Sequence, residues 1–315
     1  MLGVLFLVFG GIWVALIVFS SFSLFSEKPN FHLMGRPAIL KLELNGIILD
    51  GKKLVKPLIK YRDEKFIKAV VVEVNSPGGV VGPSQEIFEE LRRVRENLEK
   101  PVVVVSNGLM ASGAYYAAVA ADKIMVQPGT LVGSIGVVMQ FTNLEKLYDW
   151  AKVSRYSITT GKFKDSGAEY RAMRPDERDL FQKLINDVYV QFVDAVATSR
   201  NLKPEMVRQY ADGRVLTGQQ AKDLGFVDEI GTVQDAYDLA AQMAGYDPKE
   251  IDVFEPPKKG IHWLDLLARS EDDEGETSSW DGRINLKGVV DHALDRMLKL
   301  HLLNQPLYLM PGEFK

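Results

Sequence analysis

The feature that most limits what this 315-residue chain can become is a series of short apolar runs spaced through its first half. Residues 38–49 (AILKLELNGIIL), 69–75 (AVVVEVN), 101–107 (PVVVVSN) and 123–127 (KIMVQ) are rich in valine and isoleucine and too short to cross a bilayer. Branching at Cβ favours the extended backbone, and valine runs without polar alternation fit strands covered on both faces. Between the second and third runs, residues 84–100 place Ile87, Leu91, Val94 and Leu98 at helical spacing, one apolar stripe on a charged segment. Strand, helix, strand in this order is the grammar of a parallel sheet. The chain is therefore expected to be α/β, with a core of repeated β-α units.

The pattern persists downstream. Residues 174–201 read as one long helix, with Pro175 in the first turn and acidic residues where the helix dipole favours negative charge. Residues 213–232 read as a short strand and a helix opened by a capping box, Thr217 with Gln220 three positions on, and stopped by Gly225. A strand over 226–229 and a helix ending near Ala244 complete this region.

Both ends of the chain differ from this middle. Residues 2–25 carry no charge, and as a helix they would extend about 36 Å, enough to cross a hydrocarbon layer of roughly 30 Å with some tilt. The run exceeds the usual apolar stretch of a cleaved signal peptide and no lysine or arginine precedes it, so it is read as a retained transmembrane anchor. Near the other end, EPPKKG breaks regular structure and residues 270–279 (SEDDEGETSS) form an acidic, solvated linker. Leu286, Val289, Val290, Ala293, Leu294, Met297 and Leu298 then outline a final amphipathic helix. It is expected to pack on its own domain or a neighbouring subunit, since Asp291, Asp295, Arg296 and Lys299 make no strongly basic face for lipid. The expected division is an anchor at residues 1–26, a tether at 27–36, the main domain at 37–245 and a C-terminal extension at 246–315.

Composition removes several kinds of chemistry. A formal net charge of −4 gives no field that would gather nucleic acid, which is not an expected partner. Without cysteine there is no disulfide, thiolate nucleophile or cysteine-bound zinc, and no loop has the carboxylate spacing of a calcium or magnesium site. Neither a metal nor another cofactor is expected. The four histidines, His32, His262, His292 and His301, leave none between residues 33 and 261.

Within that histidine-free middle, Ser112 lies in LMASGAYYAA, after an apolar run and at the start of a helix. A serine there is usually a cap. The tight connection, and Gly113 letting a substrate approach the backbone, also fit a nucleophile turn, with the Gly113 N–H aimed at charge forming nearby. NSPGG, residues 75–79, is ordinarily only a turn, but beside such a serine Gly79 offers a second N–H to an oxyanion. The Ser112 proton then needs a base other than histidine. Carboxylates and lysines remain, and a lysine serves only when desolvation or nearby positive charge brings its pKa well below about 10.4. TTGKFKDSG, residues 159–167, offers Lys162 and Lys164 in a glycine-bounded loop, and a hydroxyl such as that of Ser134 in GSIG could orient the neutral amine.

Taken in order, NSPGG, GLMASGAYYAA, GTLVGSIGV, TTGKFKDSG and LTGQQAKDLGFVDEIG resemble the signal peptide peptidase A family of membrane-anchored Ser/Lys proteases, over roughly residues 37–245 and the anchor. The resemblance implies a core similar to the crotonase and Clp protease folds, preceded by one transmembrane helix. It implies that Ser112 is the nucleophile, Lys164 the general base, Gly79 and Gly113 the oxyanion donors and Ser134 the residue that positions the lysine. It implies further that the serine and lysine meet across a subunit boundary of a homo-oligomer. The enzyme would be a single-pass protein of the cell membrane, held to lipid by its N-terminal helix, with its catalytic domain outside the cytoplasm. The expected substrates are hydrophobic peptides, the remnants of cleaved signal peptides foremost. Beside this stand a quality-control protease of misfolded membrane or secreted proteins, a noncatalytic oligomeric membrane scaffold, and a crotonase-type acyl-CoA enzyme in which the serine and lysine would be idle.

Overall fold

A computed structural model describes residues 36–257 and the short strand Leu307–Leu309. The predicted anchor, the tether up to residue 35, the acidic linker and the terminal amphipathic helix lie outside the described residues. Among the described residues no helix is long and apolar enough to cross a membrane.

The chain runs through β1 (Ala38–Asn45), α1 (Lys52–Tyr61), β2 (Ile67–Asn75), β3 (Gly78–Val80), α2 (Val81–Asn97), β4 (Val102–Ser106), β5 (Leu109–Ala111), α3 (Gly113–Ala118), β6 (Lys123–Val126) and β7 (Leu131–Gly133). It continues with α4 (Glu145–Ala151), α5 (Pro175–Arg200), α6 (Pro204–Tyr210), β8 (Val215–Thr217), α7 (Gly218–Asp223), β9 (Glu229–Ile230), α8 (Val233–Met243), β10 (Asp252–Phe254) and β11 (Leu307–Leu309).

Six strands form one sheet in the order β10-β1-β2-β4-β6-β9, each neighbouring pair parallel. The valine runs explain it. Val70, Val72, Val102 and Val104 turn one way into a core shared with Leu54 of α1, Ile87 of α2, Tyr115 of α3 and Phe192 of α5. Val71, Val103 and Val105 turn the other way onto Ala236, Ala240 and Ala241 of α8, whose small side chains let it lie close to the sheet. Each buried valine, leucine, isoleucine or phenylalanine among them contributes about 1.5–3 kcal/mol relative to exposure. The expected parallel α/β architecture is the one observed.

Local signals account for the boundaries. Ile87, Leu91 and Val94 are buried along α2, whereas Leu98 is its C-cap. The capping box of α7 forms: Gln220 N–H donates to Thr217 Oγ1 at 3.2 Å, and Thr217 N–H to Gln220 Oε1 at 3.0 Å. β1 is shorter than the apolar run containing it, because Gly46 turns the chain at φ +70°. The strand predicted over 226–229 lies instead at Glu229–Ile230, since Phe226 and Val227 are spent on core packing beside the Gly225 turn.

Two small sheets stand beside the main one. In the first, β5 pairs parallel with β7 and β7 antiparallel with β8. In the second, β3 pairs antiparallel with β11. These three-residue strands carry the site.

Candidate active site

Ser112 leaves β5 and occupies the N-cap position of α3, yet its hydroxyl caps nothing. Its backbone sits at φ 53°, ψ −120°, a conformation that costs a non-glycine residue on the order of 1–3 kcal/mol and persists only where the surroundings enforce it. The enforcing bonds are present: Ser112 N–H donates to Gly133 O at 2.6 Å and Ser112 O accepts from Tyr116 N–H at 2.8 Å. The side chain is fully buried and its Oγ has no hydrogen-bond partner. A cap would spend that oxygen on the helix; this one is held in reserve.

Ser134 repeats the pattern. It follows β7 at φ 52°, is buried, and its Oγ is also without a partner. Ala111 and Gly133 are register partners in parallel strands, so the two serines leave adjoining strand ends side by side. Among the described residues, the other non-glycine residues at positive φ are Lys152 and Asn201, which cap helices, and Glu99, which follows a cap; all three are exposed. A cavity of about 300 Å³ borders Ser134, lined also by Val138, Gln182, Asn186, Tyr189 and Asp212.

Gly79 is the middle residue of β3. Ile48 N–H donates to Gly78 O and Val80 N–H donates to Ile48 O, both at 2.8 Å. Strand alternation therefore turns the N–H and C=O of Gly79 the other way, toward β11. A Cβ at this position would lie 2.1 Å from Ile48 O, so a side chain has no room. α3 packs against β3, and Gly113, its first residue, has no helical carbonyl four positions back to receive its N–H. Below it, Tyr115 donates its hydroxyl to Phe226 O at 2.8 Å and the Tyr116 ring meets Phe88 and Phe192, which fixes the start of α3 in place.

Ser76 is a supporting residue that sequence reasoning missed. Its Oγ donates to Gly46 O at 2.6 Å and accepts from Gly78 N–H at 3.2 Å, and its backbone bridges Met110 of β5. It thus ties the Gly79 strand to the strand ending at Ser112. The available signal was a serine ahead of Pro-Gly-Gly, a residue type that bonds its own backbone two positions on.

Lys164 stands apart from this group. It is exposed, in a turn closed by its own N–H donating to Gly161 O at 3.3 Å, and its side chain makes no hydrogen bond or ion pair among the described residues. Since Ser112 Oγ lacks any partner, the two are not bonded within one chain. Lys162, the other candidate, is engaged: its Nζ lies 2.7 Å from Asp176 Oδ2. In the chain segment that precedes Lys164, Trp150, Tyr156 and Ile158 are exposed by 80 %, 81 % and 95 %. Among the described residues there is no histidine and no group of three side chains suited to a metal. The arrangement offers a buried, unpartnered hydroxyl at the start of a helix, a form suited to nucleophilic chemistry, with Lys164 outside bonding reach of it in the single chain.

Comparison with known proteins gives the family. The family model described as peptidase family S49 matches residues 95–247. A protein of Synechocystis sp., provisionally named a protease, is 42 % identical over 237 residues, 74 % of this chain and 85 % of that protein. The chloroplastic serine protease SPPA of Arabidopsis thaliana is 34 % identical over 229 residues, 72 % of this chain but only 34 % of its own length. A solved structure of a ClpP1 mutant from Listeria monocytogenes aligns with a TM-score of 0.43 at 19 % identity, covering 62 % of this chain and 93 % of that one. With the ordered motifs, the family model and relatives at this level of identity in agreement, the chain belongs to peptidase family S49, the signal peptide peptidase A family.

Proposed function

We propose that the protein is a membrane-anchored Ser/Lys endopeptidase that cleaves hydrophobic peptides, cleaved signal peptides foremost, at a site completed by two copies of the chain. Ser112 Oγ attacks the scissile carbonyl while its proton passes to the uncharged Nζ of Lys164 of the partner subunit. The oxyanion accepts from the N–H groups of Gly79 and Gly113. The C–N bond then breaks, the lysine returns the proton to the leaving amine, and water hydrolyses the acyl-enzyme. Ser134 accepts or donates at the amine and holds it on line.

The observation that carries this reading is the Ser112 hydroxyl, which is buried, strained and unpaired while the lysine of its own chain is out on the surface. Exposed Trp150, Tyr156 and Ile158, in the segment of chain leading to that lysine, support a neighbouring copy as the place where it is used. Antiparallel β11 on β3 supports a substrate lying the same way, its backbone paired with Gly78–Val80. Apolar Ile47 and Val138 around Val80 suit apolar substrate side chains. Residues 2–25 support anchoring, with the catalytic domain on the extracytoplasmic face where released signal peptides and secreted proteins are met. Backbone pairing reads extension more than sequence, which also accommodates fragments of misfolded membrane or secreted proteins.

Complementation tests the reading. Ser112→Ala and Lys164→Ala are each expected to lose activity by about 10³-fold or more, and mixed subunits of the two variants to regain part of it. A serine-directed fluorophosphonate labels the parent, fails on Ser112→Ala and labels Lys164→Ala slowly. Parental turnover by Lys164→Ala, or no recovery on mixing, refutes the shared dyad; a Ser112→Ala variant with parental peptidase activity refutes the serine altogether.

A further inference from the structure

The turn that bears Lys164 is exposed, yet its backbone is pinned on both sides by a buried carboxylate. Glu177, third residue of α5, has no exposed side-chain surface and gathers donors from two arginines. Arg171 Nη2 and Nη1 donate to Glu177 Oε1 and Oε2 at 2.6 and 3.0 Å. Arg174 contributes its backbone N–H to Oε2 and its Nη2 to Oε1, both at 2.9 Å. The two guanidinium groups then reach the loop. Arg174 Nη2 donates to Lys162 O at 2.8 Å, and Arg171 Nη2 donates to Asp165 O at 3.1 Å, with the Asp165 carboxylate 3.1 Å from the same nitrogen. Lys162 Nζ is itself held by Asp176 at 2.7 Å. The chain is thus fastened two residues before Lys164 and one residue after it, and the lysine amine is the group left unbound.

Helix capping alone does not require this. One backbone N–H on the Glu177 carboxylate closes the capping box, and the guanidinium contacts to loop carbonyls add nothing to the helix. Arginine's planar fork suits a joint that must fix direction as well as distance.

We propose that Glu177 is a positioning residue for catalysis: through Arg171 and Arg174 it orients the turn that presents Lys164 to the serine of the neighbouring subunit. This rests on the reading of Lys164 as the base. A turn loose by about 1 Å misplaces the amine, and misplacement on that scale lowers turnover by up to about 10²-fold without weakening peptide binding.

The test measures kcat and KM separately, and the rate of fluorophosphonate labelling, for the full chain carrying Arg174→Lys or Glu177→Gln, with Lys164→Ala alongside, all well below the melting temperature. Arg174 is partly exposed, so its variant is expected to fold even where Glu177→Gln does not. The expected result is a kcat about tenfold lower for each folded variant, slower labelling in proportion, and KM within twofold of the parent. Parental kcat and labelling in Arg174→Lys, with Lys164→Ala inactive, overturns the positioning role and leaves the base assignment standing. Parental turnover in Lys164→Ala overturns both.

Discussion

Replacing Gly79 by alanine puts its proposed place at the oxyanion to a quantitative test. The added Cβ would stand 2.1 Å from Ile48 O and 2.6 Å from Ile48 C and N, against an ordinary contact that begins at 3.4 Å. Relief needs a separation of 3.4 − 2.1 = 1.3 Å, and the obstacle is backbone, which has no rotamer to yield. The two hydrogen bonds that clamp Ile48 to β3 are 2.8 Å long, so opening by 1.3 Å takes them to 4.1 Å and breaks both. At about 1 kcal/mol each, the expected stability loss is roughly 2 kcal/mol. The loss in catalysis is larger, because removing one oxyanion donor costs about 10²–10³ in kcat. The assay is steady-state hydrolysis of an apolar peptide amide, with denaturant unfolding on the same preparations. Gly82→Ala serves as control, since a Cβ there meets nothing within 4 Å inside α2. A Gly79→Ala enzyme within threefold of parental kcat would refute the placement of Gly79 at the oxyanion.

Two further outcomes follow from other parts of the molecule. The hydrogen bonds from Arg171 hold the Glu177 carboxyl down at about 2, against its ordinary 4.5, so its contribution to stability is full above pH 4.5 and is lost as pH falls from 4.5 through 2. Urea midpoints measured across that window are expected to fall in the parent and to fall less in Glu177→Gln; parallel curves would show that the carboxylate is not linked to folding. Deleting residues 306–315 removes β11 from β3, and if substrate uses the same edge, KM for peptides drops; an unchanged KM would place the substrate elsewhere.

The sequence made the scaffold legible because the scaffold obeys periodic rules. Valines at consecutive positions imply cover on both faces of a sheet, and the alanines of α8 and the stripe of α2 provide it. Thr217 with Gln220 announces a helix start by itself. The site is less regular. β3, β5 and β7 are too short to generate a period, and what ties the chain between them is Ser76 reaching Gly46 and Met110, residues distant in the chain. The ordered motifs pointed to Ser112, Gly79, Gly113 and Ser134; of these, Ser112 and Ser134 leave adjoining strand ends, Gly113 follows Ser112 as the first residue of α3, and Gly79 lies in β3, against which α3 packs. What no local pattern carries is the distance between Lys164 and Ser112, because that distance is set by a second copy in the proposed assembly. The Arg171–Glu177–Arg174 joint was hidden for a related reason: acidic residues in a helix's first turn look alike in sequence, whether they cap, float or hold a neighbouring loop.

The energetics of the two serines link fold to function. A buried hydroxyl without a partner costs roughly 1–3 kcal/mol, and a non-glycine residue at such a φ costs about as much again. Ser112 and Ser134 each carry both penalties, at neighbouring positions, in a domain whose other polar groups are largely satisfied. Folding for stability alone would place glycine there, which has neither a hydroxyl to satisfy nor a Cβ to strain the backbone. The unfavourable arrangement is held by backbone bonds on both sides of Ser112 and by the tyrosine anchors of α3, which leave the oxygen no local alternative. In the proposed mechanism an amine and a peptide carbonyl arriving at this point would supply the partners that folding withheld, so that stabilisation forgone in the single chain would be recovered on assembly and attack.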